Sequence, residues 1–188
     1  MEIIEKIKFH QGNKKYCKIR RSVGENTFEK SSGYIVDFSE NFVLLQETDD
    51  FIIRGYLIIP FQSISEVICS VSDKYYDKIM KAEGITEKVG NKYKIELKSW
   101  KTIFDSIQKL DFNVIVQNEK PNNEDFNIGP ITKITEKSVY IQYFDPKCYI
   151  DSESTKIDFS EITIASFDDI YINTLSKYLR KRKPKKDN

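Results

Sequence analysis

The 188 residues contain one histidine, His10. A Ser–His or Cys–His catalytic pair would have to recruit that N-terminal segment, and none of the cysteines has a local activating motif. Those cysteines, Cys17, Cys69 and Cys148, are odd in number and far apart. They fit neither a disulfide framework nor a metal-ligand spacing, and they point to a reducing, cytoplasmic setting. The chain also lacks a phosphate loop, a glycine-rich dinucleotide turn and a His/Cys/Asp/Glu cluster. No apolar run approaches the roughly 20 residues that span a bilayer, so no membrane partner is expected. The opening MEIIEKIKFH carries acidic residues and no small-residue cleavage site, so no secretory signal is expected. The pairs Asp49-Asp50 and Asp168-Asp169 read as a loop and a helix N-terminus rather than as acid–base machinery. The expectation is a protein that is not an enzyme, with no catalytic residues, no cofactor and no metal.

What is present supports a packed fold. Apolar residues make up 39% of the chain and aromatic residues 13%, enough to exclude wholesale disorder. Charge is unevenly placed. Residues 180–188 hold six cations against Asp187, a +5 contribution to a net charge of +1, so residues 1–179 carry −4. Such a basic tail is read as solvated, with nucleic acid as the other use.

Strand signals fill the first third: 15–22, 33–38, 42–47, 51–60 and 63–70, separated by turn formers such as Ser39-Glu40-Asn41. Gly55, inside the fourth run, suggests a bulge or bend. A helix is predicted over 72–84, capped by Ser72 or Asp73 and ended by Gly84. A clearer one covers 99–111, where Trp100, Ile103, Phe104, Ile107 and Leu110 share one face behind a Ser99 cap, with Trp100 as a core anchor. Strands resume at 112–117, 127–134, 138–144, 155–159 and 161–167. A last helix is predicted over 168–182, with Tyr171, Leu175, Tyr178 and Leu179 on one face.

The two strand groups align with each other. At an offset of 96, Gly33 matches Gly129, Ile35 matches Ile131, Val43 matches Val139, Leu45 matches Ile141 and Gln46 matches Gln142. At an offset of 98, Ile59 matches Ile157, Phe61 matches Phe159 and Ile64 matches Ile162. Matches at alternate positions mark an inward face, so the chain reads as a tandem of two β units. The core set follows: Ile35, Val43, Leu45 and Ile64 in one unit, and Ile131, Val139, Ile141 and Ile162 in the other.

The runs GYIVDFSENFVLLQE and PFQSISEVI resemble the Sm-like barrel, most closely the bacterial host-factor RNA chaperones of that superfamily. Residues 129–143 and 157–164 repeat the pattern more weakly. The resemblance implies strongly bent five-stranded barrels and RNA binding. In the RNA-binding members an acidic residue and an asparagine sit in the turn, as Glu40 and Asn41 do here. The basic–histidine pair that enters their last strand is Phe61-Gln62 here, and the second unit has Glu136-Lys137 and Phe159-Ser160. Arg54-Gly55 imitates the arginine–glycine pair of the eukaryotic members but lies several residues too early.

The expected fold is mainly β: two tandem Sm-like (SH3-like) five-stranded small barrels, each followed by a helix. The expected divisions are 1–84, a linker at 85–98, 99–179 and a tail at 180–188. The expected function is a non-catalytic binding or adaptor protein with a protein partner, existing as a monomer or dimer. The alternative is binding of RNA or single-stranded nucleic acid. Its candidates are a basic edge of Lys14, Lys15, Tyr16, Lys18, Arg20 and Arg21, together with Arg54 and the tail residues Arg180, Lys181 and Arg182.

Overall fold

Apolar alternation over β1 (Tyr16–Gly24) and β2 (Thr27–Phe38) starts one long antiparallel sheet, continued by β3 (Phe42–Asp49), β4 (Ile52–Pro60) and β5 (Ile64–Ile68). The computed structural model describes residues 2–181; Arg182 and the rest of the basic tail lie outside the described residues. The second half supplies β6 (Val114–Asn118), β7 (Asp125–Gly129), β8 (Ile131–Ile134), β9 (Ser138–Ile141), β10 (Tyr149–Ile150), β11 (Thr155–Asp158) and β12 (Ile164–Phe167). Helices α1 (Ile3–Gly12), α2 (Val71–Ala82), α3 (Trp100–Lys109) and α4 (Ile170–Ser176) complete the described residues, with a short β13 (Arg180–Lys181).

The fold is mainly β, and its larger sheets are antiparallel and open. One sheet runs β5-β1-β2-β3-β4-β12-β6-β7 and another β11-β9-β8, while β10 and β13 pair in parallel. Neither half closes on itself by hydrogen bonding. Strand β4 pairs with β12 of the second half, with Ala165 opposite Ile58 and Phe167 opposite Tyr56. The large sheet's eight strands come in two blocks, five from the first half and three from the second, that meet at this seam in one shared sheet.

Corresponding strands in the two halves share their registers. Ile35 faces Leu45 and Phe38 faces Val43; Ile131 faces Ile141 and Ile134 faces Val139. The register slips by one residue between Ile35 and Asp37, and again between Ile131 and Lys133. All eight residues of the expected core set are buried. At Gly33 and Gly129 a Cβ atom would sit 2.1 and 2.0 Å from the carbonyl oxygens of Gln46 and Gln142, so both strands need glycine for close backbone approach. Gly55 meets the anticipated irregularity: Glu47 faces Gly55 but Thr48 faces Ile53, which leaves Arg54 as the bulged residue.

Helix boundaries follow from caps. Ser70, not Ser72 or Asp73, caps α2, and it forms a reciprocal capping box with Asp73. Ser99 does the same with Thr102 at the start of α3. Helix α3 buries Trp100, Ile103, Phe104 and Ile107 against Phe42, Leu44, Tyr56 and Val139, so it covers both halves at once. Each such side chain contributes about 1.5–3 kcal/mol on burial. The expected linker also packs, since Val89, Ile95 and Leu97 are buried.

Two sequence expectations change. Helix α1 was not anticipated; it buries Ile7 and His10. The last helix stops at Ser176 rather than running to 182, and it buries Ile172 while Tyr171 and Tyr178 are exposed. Beyond it, Arg180 and Lys181 pair with Tyr149 and Ile150, and the Arg180 guanidinium lies 4.1 Å from the Tyr149 ring centroid.

Candidate functional site

Of the anticipated basic edge, Lys14 is exposed and lies in the turn between α1 and β1 with φ 46°. The other side chains meet partners within the chain. Lys15 pairs with Asp77 at 3.5 Å, and Lys18 with Asp73 at 2.7 Å. The Arg20 guanidinium sits 3.9 Å from the Phe28 ring centroid. Arg21 is buried and forks onto both carboxylate oxygens of Glu119 at 2.5 and 3.0 Å. Tyr16 is buried beneath α2, its ring 4.6 Å from Tyr76 and 5.9 Å from Tyr34. Arg54 lies elsewhere and pairs with Asp49 and Asp169. The structure therefore does not gather these residues into one free cationic strip: Arg54 sits on β4, and Arg180 and Lys181 on β13.

The two acids on α2 are held in their charged forms. Burial opposes ionisation of Asp77, but hydrogen bonds from Lys81 and from the Tyr16 backbone outweigh it, and its pKa is lowered. Asp73 is lowered in the same way, with burial overcome by bonds from Lys18 and Ser70. A depressed carboxylate stabilises the fold above the ordinary carboxylate range, and the contribution is lost as pH falls through the lowered value. Tyr34 donates to Asp77 at 3.2 Å, and burial raises its own pKa.

Asp77 also lines a groove of about 270 Å³ between α1 and α2. His10, Tyr16 and Cys69 form its floor, and Lys15, Lys74, Lys78 and Lys81 form its rim. The Nδ1 atom of His10 lies 3.2 Å from the Lys15 carbonyl oxygen, which places a proton on Nδ1. Burial lowers the pKa of His10, so its ring is neutral at pH 7. Burial raises the pKa of the Cys69 thiol, which removes it as a ready nucleophile. The other two cysteines are buried and free, and Cys17 is raised by burial as well. This floor can accommodate apolar groups but offers no activated nucleophile–base pair.

Sequence reasoning missed the groove because one wall is α1. The signal was there: Ile3, Ile7 and His10 stand at helical spacing. The other wall was legible, since Lys74, Lys78 and Lys81 share a face of the helix predicted at 72–84. Among the described residues no helix is long and apolar enough to cross a membrane, and no group of three or more His, Cys, Asp and Glu could hold a metal ion. No family model, curated protein or solved structure matches the chain.

Proposed function

We propose that the chain is a non-catalytic binding protein made of two Sm-like units fused by duplication, and that it engages a protein partner rather than the backbone of a nucleic acid. The carrying observation is internal neutralisation of the basic edge: Lys15, Lys18 and Arg21 each meet an acid from elsewhere in the fold. Tracking a phosphate backbone needs cations free to replace its counterions. Exposed apolar groups support the protein-partner reading. Val71 and Tyr75, one helical turn apart on α2, are 84% and 66% exposed. The β3–β4 hairpin tip lies beside them, with Phe51 stacked on Tyr76 and Ile52 exposed.

Anisotropy of a labelled single-stranded RNA, titrated with the full chain, tests this reading. The expected result is weak binding with a shallow salt response. A complex whose affinity falls roughly 10³-fold or more between about 50 and 200 mM salt would show six or more phosphate contacts and overturn it.

Duplication is supported by the paired registers, by the two glycines and by matching 3-10 turns at Phe61–Ser63 and Phe159–Glu161. It also bears on assembly. The seam joins Tyr56, Leu57 and Ile58 to Phe167, Ser166 and Ala165. At the two outer edges, the 98-residue offset replaces these with Ser154, Thr155 and Lys156 at the start of β11 and just before it, and with Val67, Ile68 and Cys69 at the end of β5 and just after it. Lys156 is exposed on its edge, and Lys6 of α1 donates to the Val67 carbonyl on the other. Charged edge residues and a covering helix both discourage further strand pairing. Light scattering on the eluting chain is expected to give a monomer of 22.1 kDa. A ring-sized species at micromolar concentration would show that the edges pair between chains.

A further inference from the structure

We propose that the groove between α1 and α2 binds a small amphiphilic anion: one apolar ring or short chain carrying a phosphate, sulfonate or carboxylate group. Four lysines border the cavity and a single carboxylate, Asp77, stands among them. That carboxylate is already saturated. It accepts from Lys81 at 3.0 Å, from the Tyr34 hydroxyl at 3.2 Å and from the Tyr16 backbone at 3.4 Å, and it pairs with Lys15 at 3.5 Å. Asp73, one turn earlier on α2, is taken by Lys18 and Ser70. Lys74 and Lys78 are left exposed, and neither meets a carboxylate among the described residues.

Residues 1–179 as a whole carry −4, and Lys74 and Lys78 are set apart from other exposed lysines by bordering one cavity together. Two neighbouring ammonium groups one helical turn apart can converge on the oxygens of one anionic group, with their aliphatic stems lining the cavity below.

The rest of the groove selects for an apolar body. Its floor holds the Tyr16 ring, the Cys69 thiol and the neutral His10 ring, and Phe9, 51% exposed, stands at the mouth. A volume of about 270 Å³ accepts a single ring with its charged group, just below the roughly 300–1,000 Å³ usual for ligand sites. A free inorganic anion would satisfy the rim and leave the floor unfilled. Val71 and Tyr75, proposed to meet a protein, do not line the groove, so either reading can fail alone.

The test uses 4-fluorophenyl phosphate as a probe read by fluorine NMR, with phenyl phosphate and inorganic phosphate as competitors. The expected result is saturable one-to-one binding, displaced by phenyl phosphate at least tenfold more effectively than by inorganic phosphate. The double variant Lys74→Glu with Lys78→Glu should weaken probe binding at least tenfold, while Lys109→Glu on α3 should leave it unchanged. Both lysines on α2 are exposed, so the fold should tolerate the change, and a thermal melt checks it. If the reversal unfolds the chain, Lys74→Gln with Lys78→Gln is measured in its place and should weaken binding in the same direction. Unsaturable binding, equal competition by the two phosphates, or affinity indifferent to the lysine variants would each overturn the proposal. Tighter competition by polyglutamate than by phenyl phosphate would assign the groove to an acidic chain and overturn it too.

Discussion

Replacing Phe167 with alanine is expected to destabilise the chain by about 3–5 kcal/mol, the range for removing a large aromatic from a closed core. Phe167 has no exposed surface and ends β12, directly opposite Tyr56 of β4. Its ring stacks on Tyr56 at 5.1 Å and also meets Phe112 at 5.8 Å and Tyr93 at 6.0 Å. The substitution therefore empties the place where strands of both halves and the packed 85–98 segment converge. For a chain of this size the loss corresponds to a fall in melting temperature of roughly 6–20 °C. Because the seam is one continuous sheet, both halves should still melt in a single transition. A melt within 2 °C of the parent, on the order of a kcal/mol or less, would show that the seam contributes little.

The parts of this fold that were legible rest on local chemistry. Alternation of apolar residues placed the strands, and each half's alignment placed Gly33 and Gly129 where only a glycine admits the Gln46 and Gln142 carbonyls. Ser99 followed by a clear apolar face gave α3 almost to its ends. The seam was not legible in that way. Which strand β4 pairs with is decided by residues more than a hundred positions apart, and Tyr56 and Phe167 look alike to a local reading whether they face each other or not. The end of the chain misled for the opposite reason. Leu175 and Leu179 keep helical spacing, but the main chain leaves α4 after Ser176 and pairs with Tyr149 and Ile150 instead.

The candidate site shows the same division more sharply. A run of cations at 14–21 is visible in the sequence, but its electrostatic meaning is set by Asp73, Asp77 and Glu119, which arrive from α2 and from the end of β6. A basic segment read without those acids looks like a nucleic-acid edge. Lys74 and Lys78 meet no acid among the described residues, and an isolated helix would show them only as solvated positions. Helix α1 turns that face into one wall of a groove.

The Arg21–Glu119 pair ties the halves together a second time, away from the seam, and its loss is the other large effect expected here. Arg21 leaves β1 with its side chain 3% exposed, and Glu119, just beyond β6, is 18% exposed. Glu119 also accepts from the Thr163 hydroxyl at 2.8 Å, while its own backbone N–H donates to that hydroxyl oxygen at 3.1 Å. Strands β1 and β6 are far apart in sheet order, so the contact exists only because the sheet curls back on itself. Arg21→Ala would leave Glu119 a carboxylate in a mostly dry site with Thr163 as its one remaining side-chain donor, and should cost about 3–5 kcal/mol. Replacing both partners at once, Arg21→Met with Glu119→Leu, removes the unpaired charge and should recover most of that loss, because a packed apolar pair often matches a buried ion pair. Urea titrations of the single and double variants decide the matter. If the double variant is as unstable as Arg21→Ala, although methionine keeps an apolar stem, the hydrogen bonds of the pair rather than an unpaired charge carry the effect. If Arg21→Ala unfolds at the parent's midpoint, the pair adds nothing to the β4–β12 seam and the core under α3.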